Sequence, residues 1–239
     1  MFFVLPMTYV LLIYVLAAVL PAAFLLRYVY KQDTVEKEPG YLLAALLGLG
    51  VLAALLSLLP EYLGEGILSA VVGTSGYEYK ILLAFLVAGV VEEGAKFLLL
   101  YRRTWNDPNF NYRFDGIVYA VFVSLGFAAF ENVRYVFSYG LSVAVPRALL
   151  AIPGHMSFAV VMGLFYGRAR LCADLGNHAA AKRNLWAGWS AAVLLHGIYD
   201  SCAMVGTRTS TIIFVAFVAV MYFAVYRIIR TVSRTDRPV

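Results

Sequence analysis

Apolar residues fall in seven long runs along the chain, separated by short polar segments. Each run comes close to the roughly 20 residues that a helix needs to cross the hydrocarbon core of a bilayer. The pattern therefore predicts an all-α fold, a polytopic bundle of about seven transmembrane helices. The runs cover approximately residues 7–29, 41–60, 80–101, 114–137, 148–170, 185–205 and 210–230.

The composition agrees with a multi-pass protein of the cell membrane. Of the 239 residues, 62% are hydrophobic and 14% are charged, whereas a soluble domain is about 45–50% apolar and 25% charged. One soluble core cannot bury that excess, and no polar insert is long enough to fold alone. We therefore expect residues 1–239 to form a single membrane domain surrounded by the lipid bilayer.

The basic residues predict the orientation of this domain. Of the 19 Lys and Arg residues, 14 fall on one side of the predicted bundle and 3 on the other. Cytoplasmic loops collect such residues, so the first side is cytoplasmic, with the N-terminus outside and the C-terminus inside. The segment 61–79, which begins with Glu61, is then an external loop. The net charge of +5 reflects this topology, and we expect no nucleic-acid partner.

Ionisable residues interrupt four consecutive runs, which makes residues 80–205 the candidate catalytic core. In chain order these residues are Glu92, Glu93, Lys96, Glu131, His155, His196 and Asp200. A charge at mid-bilayer costs about 2.5–3.5 kcal/mol, so these side chains are expected to face one another and not lipid. A helical rise of about 1.5 Å per residue places Glu92, Glu131, His155, His196 and Asp200 between the bilayer centre and its outer third. This agreement in depth predicts one polar cavity that opens toward the exterior.

Spacing within the helices refines this picture. Glu92 and Lys96 are four residues apart and share a helix face, so one glutamate of the adjacent pair is expected to contact Lys96 while the other points elsewhere. His196 and Asp200 have the same spacing. That geometry suits a carboxylate that orients an imidazole, or two ligands of one ion. Simple ion pairs that hold the helices together would produce the same spacings.

The residues on these four helices resemble the PrsW intramembrane proteases, which belong to the wider clan of CAAX-processing and bacteriocin-processing membrane endopeptidases. The resemblance covers roughly residues 85–205. It is carried by Glu92-Glu93-x-x-Lys96, Phe127-x-x-x-Glu131-x-x-x-Tyr135, His155 and His196-x-x-x-Asp200. The resemblance implies site-1-type proteolysis, in which a peptide bond near the outer membrane face is cut. The implied substrate is a single-span membrane protein such as an anti-sigma factor.

The residue types limit the chemistry of such a cleavage. No serine–histidine or cysteine–histidine arrangement is predicted at this depth, so a covalent nucleophile is disfavoured and water must attack the carbonyl. Glu92 or Glu93 is the candidate general base. Phe127 and Tyr135 are expected to pack or to form hydrogen bonds.

Two versions of the mechanism remain open at this point. In the metal version, a catalytic Zn²⁺ is bound by His155, His196 and a carboxylate, either Glu131 or Asp200. In the metal-free version, a glutamate and a histidine activate the water, and His196 stabilises the oxyanion. The sequence contains no HExxH motif.

Two functions from other classes also fit buried charges. Glu, His and Asp form proton relays in transporters and channels, although the chain shows no internal repeat of the kind that transporters contain. A non-catalytic membrane scaffold is the third alternative, and the complete set of motifs argues against it.

Overall fold

The computed structural model describes residues 6–239, and this part of the chain is almost entirely helical. Its elements are α1 (Met7–Gln32), α2 (Gly40–Val72), α3 (Tyr77–Leu82), a π-helix (Leu83–Gly89), α4 (Val90–Thr104), α5 (Asp115–Tyr139), a 3₁₀ turn (Leu141–Val143), α6 (Ala144–Leu149), α7 (Ala151–Asp174), α8 (His178–Val205) and α9 (Arg208–Arg234). Among the described residues, β pairing is limited to an isolated bridge between Tyr112 and Pro238. The predicted all-α class is confirmed.

Five helical segments within residues 6–239 are long and apolar enough to cross a membrane. They are α1, α2, α5, the segment Leu141–Asp174 and α9. The other two predicted spans, 80–101 and 185–205, are also helical, and they carry five of the seven candidate site residues. The multi-pass class is thus confirmed, while the count of seven spans and the orientation of the termini stay predictions.

Helix α2 is longer than the apolar run that predicted it. It continues through Pro60 to Val72 and contains 33 residues. Glu61 therefore lies within a helix, and the prediction of an external loop beginning there was wrong. A proline removes one backbone hydrogen bond from a helix. Within a bilayer no water replaces the other bonds, so the chain keeps them by remaining helical.

Helix α5 lies at the centre of the bundle. Its residues 115–128 are all buried, and it packs against α1, α2 and α7. A Cβ atom on Gly126 would clash with the backbone of Leu47 in α2, and one on Gly163 of α7 would come within 2.5 Å of the carbonyl oxygen of Gly116. Small residues at these positions allow the helix backbones to approach closely.

The π-helix immediately precedes α4 and packs against α8. A Cβ on Gly89, its last residue, would lie 3.2 Å from the carbonyl oxygen of Val193, and one on Gly197 would clash with the ring of Phe85. Such single turns of π-helix are frequent near functional sites. The close contact brings the first turn of α4 against the middle of α8.

Candidate active site

The ammonium group of Lys96 on α4 is the centre of a buried polar cluster. Its Nζ atom lies 2.8 Å from Glu93 Oε1, 3.2 Å from Glu92 Oε2 and 3.2 Å from His155 Nδ1. Nζ also lies 3.9 Å from the ring centroid of Phe127. The prediction that one glutamate points elsewhere was wrong. Positions three and four residues before a lysine are both its neighbours on the helix surface, so one long side chain reaches both carboxylates.

His196 on α8 joins α4 to the far side of this cluster. Its Nδ1 atom lies 2.9 Å from Glu93 Oε1, and its Nε2 atom lies 3.2 Å from Asp200 Oδ2. The predicted pairing of His196 with Asp200 is thus present in the structure. Because both ring nitrogens face carboxylate oxygens, the doubly protonated imidazolium can donate a hydrogen bond on each side.

His155 on α7 is held between a cation and a carboxylate. Its Nδ1 atom faces Lys96, and its Nε2 atom lies 3.0 Å from Glu131 Oε2 on α5. An ammonium can only donate, so Nδ1 accepts and Nε2–H donates to Glu131. The surroundings therefore favour one neutral tautomer. The ring of Phe158 stacks on His196 at 4.9 Å and meets His155 edge-on at 6.0 Å.

Arg147 on α6 also belongs to the site, and it is one of the three basic residues that the charge pattern predicts on the external side. It donates to Glu131 Oε2 at 2.7 Å and to Asn132 Oδ1 at 2.8 Å. Its guanidinium also lies 3.8 Å from the ring centroid of Tyr135. The available signal was a single arginine in an otherwise apolar segment, eight residues before His155.

Opposite charges nearly balance in this cluster. The carboxylates are those of Glu92, Glu93, Glu131 and Asp200, and the groups that can carry positive charge are Lys96, Arg147 and His196. The carboxylates exceed these cations by one. The cluster can therefore accept one further proton on a carboxylate without becoming positively charged.

A cavity of about 460 Å³ adjoins the cluster and has both polar and aromatic walls. Its polar wall contains Glu92, Glu131, Arg147, His155, His196 and Asp200, and its aromatic wall contains Tyr135, Phe158, Tyr199 and Phe214. The volume lies in the range of small-molecule binding sites. Glu93 is completely buried beneath this surface.

Four side chains place potential metal-binding atoms within 4.8 Å of one another, namely Glu92, Glu93, His155 and His196. This set differs from the predicted zinc ligands, because it contains two carboxylates of α4 and not Glu131. Imidazole and carboxylate donors suit Zn²⁺. However, the Lys96 ammonium already lies within 3.2 Å of three of these four residues, and its positive charge opposes a second cation at the same donors. The four donors therefore do not fit a divalent ion while Lys96 remains there.

Comparison with known proteins places this chain in a family. The profile of the PrsW family intramembrane metalloproteases matches residues 38–226. The chain is 32% identical over 211 residues to Protease PrsW of Clostridioides difficile (strain 630), an alignment that covers 87% of this chain and 86% of that protein. It is 35% identical over 188 residues to Protease PrsW of Geobacillus kaustophilus (strain HTA426), an alignment that covers 77% of this chain and 76% of that protein. No solved structure matches this chain.

A further relative shows the same pattern. Protease PrsW of Bacillus subtilis (strain 168) is 34% identical over 186 residues, with 77% of this chain and 79% of that protein covered. Such similarity over most of both chains does not favour a transporter or a scaffold. The chain belongs to the PrsW family and is an intramembrane protease, a multi-pass hydrolase of the cell membrane that acts on membrane proteins.

Proposed function

We propose that the chain cleaves a single-span membrane protein near the outer membrane face, as in the release of an anti-sigma-factor-like regulator. In this proposal Glu92 is the general base and no metal takes part. One observation carries the choice of base: Glu92 lines the cavity, whereas Glu93 is completely buried beneath it. A base must reach the water that attacks the substrate, and only a group at the cavity wall can do so.

The reaction follows from the groups at this wall. A water in the cavity gives a proton to Glu92 while its oxygen bonds to the carbonyl carbon of the scissile peptide. The electron pair of the carbonyl π bond moves to the carbonyl oxygen. Glu92 then gives the proton to the leaving nitrogen as the C–N bond breaks. The products are a carboxylic acid and an amine, and Glu92 returns to its ionised form.

Positive groups on the cavity wall stabilise the oxyanion of this intermediate. Arg147 and His196 both line the cavity, and the hydrogen bonds that hold them are made before the substrate arrives. Preorganised positive charges of this kind stabilise developing negative charge more than mobile water does. Glu131 positions both His155 and Arg147, because one of its oxygens contacts both side chains.

Lys96 and Glu93 are positioning residues in this proposal. Lys96 holds Glu92 by a 3.2 Å ion pair, and Glu93 anchors Lys96 and His196 together. Both are almost fully enclosed, with exposures of 2% and 0%. They act on the substrate only through the groups that they hold.

Cleavage of a single-span reporter in proteoliposomes tests the choice of Glu92. Glu92→Gln keeps the shape of the side chain but cannot accept a proton, so kcat should fall at least 100-fold, roughly the share that general-base catalysis supplies. Glu65→Gln is the matched control, because Glu65 lies on α2 and its carboxylate accepts a hydrogen bond from the hydroxyl of Tyr79 at 3.3 Å. Its activity should match that of the native chain.

Three other outcomes would count against the proposal. Full activity in Glu92→Gln with loss of activity in Glu93→Gln would transfer the role of base to Glu93. Full activity in both variants would remove the glutamates from the chemistry. Cleavage only on the cytoplasmic side of the reporter would contradict the proposed position of the scissile bond.

A further inference from the structure

A second, smaller chamber lies behind the catalytic carboxylates. Its volume is about 20 Å³, and its wall is formed by Ala54, Glu61, Glu92, Phe127, Phe130, Glu131 and Arg134. Glu92 and Glu131 also line the large cavity. These two carboxylates therefore separate two spaces, one of substrate size on one side and a much smaller one on the other.

The chamber has the size and polarity of a site for one water molecule. A cavity needs about 10–15 Å³ of such volume, and two to four polar partners, to hold a water. The chamber meets both conditions, because its 20 Å³ are bordered by four charged side chains. An apolar ligand would leave these charges unsolvated, and a larger polar ligand does not fit.

The outer end of the chamber is formed by Glu61 of α2 and Arg134 of α5. Glu61 is half-buried and Arg134 is exposed, while Glu92 at the inner end is 7% exposed. Side chains at the outer end of the chamber are thus accessible, whereas those at its inner end are enclosed. The rings of Phe127 and Phe130 and the methyl group of Ala54 complete it.

We propose that this chamber is a water-binding site that supplies Glu92 from the side opposite the substrate cavity, with Glu61 and Arg134 as positioning residues at its entrance. The inference rests on the proposed role of Glu92. Each cleaved peptide bond consumes one water molecule, whose oxygen and hydrogens end in the two products. A bound peptide closes the large cavity to solvent, so the replacement water enters past Glu61 and Arg134.

Synchrotron X-ray footprinting tests for the water without relying on activity, because radicals formed from bound water oxidise the side chains beside it. In the native chain Phe127, which lines the chamber and is 2% exposed, should be labelled. Ala54→Val fills the chamber and should remove most of that labelling, because the single water is lost. The matched control is Ala53→Val, an equally buried neighbour outside the chamber wall. Phe214, in the large cavity, should be labelled equally in all three proteins.

Kinetics of reporter cleavage test the function of the site. Ala54→Val should lower kcat about tenfold and leave KM unchanged, because the loss affects a step after substrate binding. Glu61→Leu should have the same effect, and Glu61→Gln, which keeps a polar group at the entrance, should restore most of the rate. If Glu61 only stabilises the fold, its replacement would change thermal stability and leave kcat per folded molecule constant.

The outcomes separate this inference from the choice of Glu92 as base. Equal labelling of Phe127 in the native chain and in Ala54→Val, or unchanged kcat in both Ala54→Val and Glu61→Leu, overturns the chamber. Full activity of Glu92→Gln overturns the base and leaves the footprinting result to decide on the water. If Ala54→Val does not fold, labelling of Phe127 in Glu61→Leu compared with Glu61→Gln gives the same decision.

Discussion

Replacement of Lys96 by methionine tests whether this side chain is the cation that holds the site together. Methionine keeps an unbranched apolar stem, ends one heavy atom short of the position of Nζ, and removes the charge. In the native chain Nζ lies within 3.2 Å of three partners, and Lys96 is 2% exposed. Glu92 and Glu93 would both lose this partner in a setting where water cannot replace it.

The magnitude follows from the burial of this cluster. Removal of one partner from a buried ion pair costs about 3–5 kcal/mol, because the remaining charge is left uncompensated. Two carboxylates share Lys96, so we expect Lys96→Met to lower the free energy of unfolding by an amount in the upper part of that range. Lys182→Met, at an exposed lysine on α8, is the control and should change it by less than about 0.5 kcal/mol.

A double variant shows whether the loss arises from charge. Lys96→Met leaves four carboxylates facing the two cations Arg147 and His196. Adding Glu93→Gln removes one of the excess negative charges, so the double variant should be more stable than Lys96→Met by about 1–3 kcal/mol, a coupling typical of contacting residues. The measurement is equilibrium unfolding in mixed micelles of SDS and a mild detergent. The reasoning is refuted if Lys96→Met is as stable as the native chain, or if the added Glu93→Gln lowers stability further.

The same variant tests the assignment of the cation. In Lys96→Met the four donors around the former ammonium are free to bind a divalent ion. Added Zn²⁺ should therefore raise the unfolding midpoint of Lys96→Met and leave that of the native chain unchanged. Stabilisation of the native chain by Zn²⁺ would show that a metal binds with Lys96 in place.

Three further predictions concern metal dependence, pH and packing. Dialysis of the native protein against EDTA and 1,10-phenanthroline should leave its cleavage rate unchanged, and a loss that added Zn²⁺ restores would contradict the metal-free mechanism. Glu38 accepts a hydrogen bond from Tyr119, and burial raises the pKa of its carboxyl from 4.5 to about 7. The stability that the protonated carboxyl contributes is present below pH 4.5 and is lost as pH rises through 7. The unfolding temperature of the native chain should therefore fall across that range, and that of Glu38→Gln should fall less. Gly126→Ala places a methyl group against the backbone of Leu47 and should destabilise the fold by about 1–3 kcal/mol. The control is Gly48→Ala, whose added methyl group meets no atom within 4 Å, and it should be neutral in the same unfolding assay.

The helices and the meeting of the charged residues on four of them were predictable from the sequence for one physical reason. Long apolar runs form helices because backbone groups find no water in a bilayer, and charges within those runs must meet because each is costly when it faces lipid. The contacts of Lys96 with His155 and of Glu93 with His196 join residues far apart in the sequence. The i, i+4 spacing also predicted the pairing of His196 with Asp200, because it depends on one helix alone.

The tertiary structure decided how these groups are paired and what else joins them. The rotation and tilt of each helix depend on close contacts at small residues such as Gly89 and Gly126, and no spacing within a single helix encodes them. These contacts bring the carboxylates of both α4 glutamates into contact with the Lys96 ammonium. Glu92 then lies at the cavity wall, and Glu93 lies beneath it. They also bring in Arg147 from α6 and Glu61 from α2, because a side chain joins a site through its position in space and not through its position in the sequence.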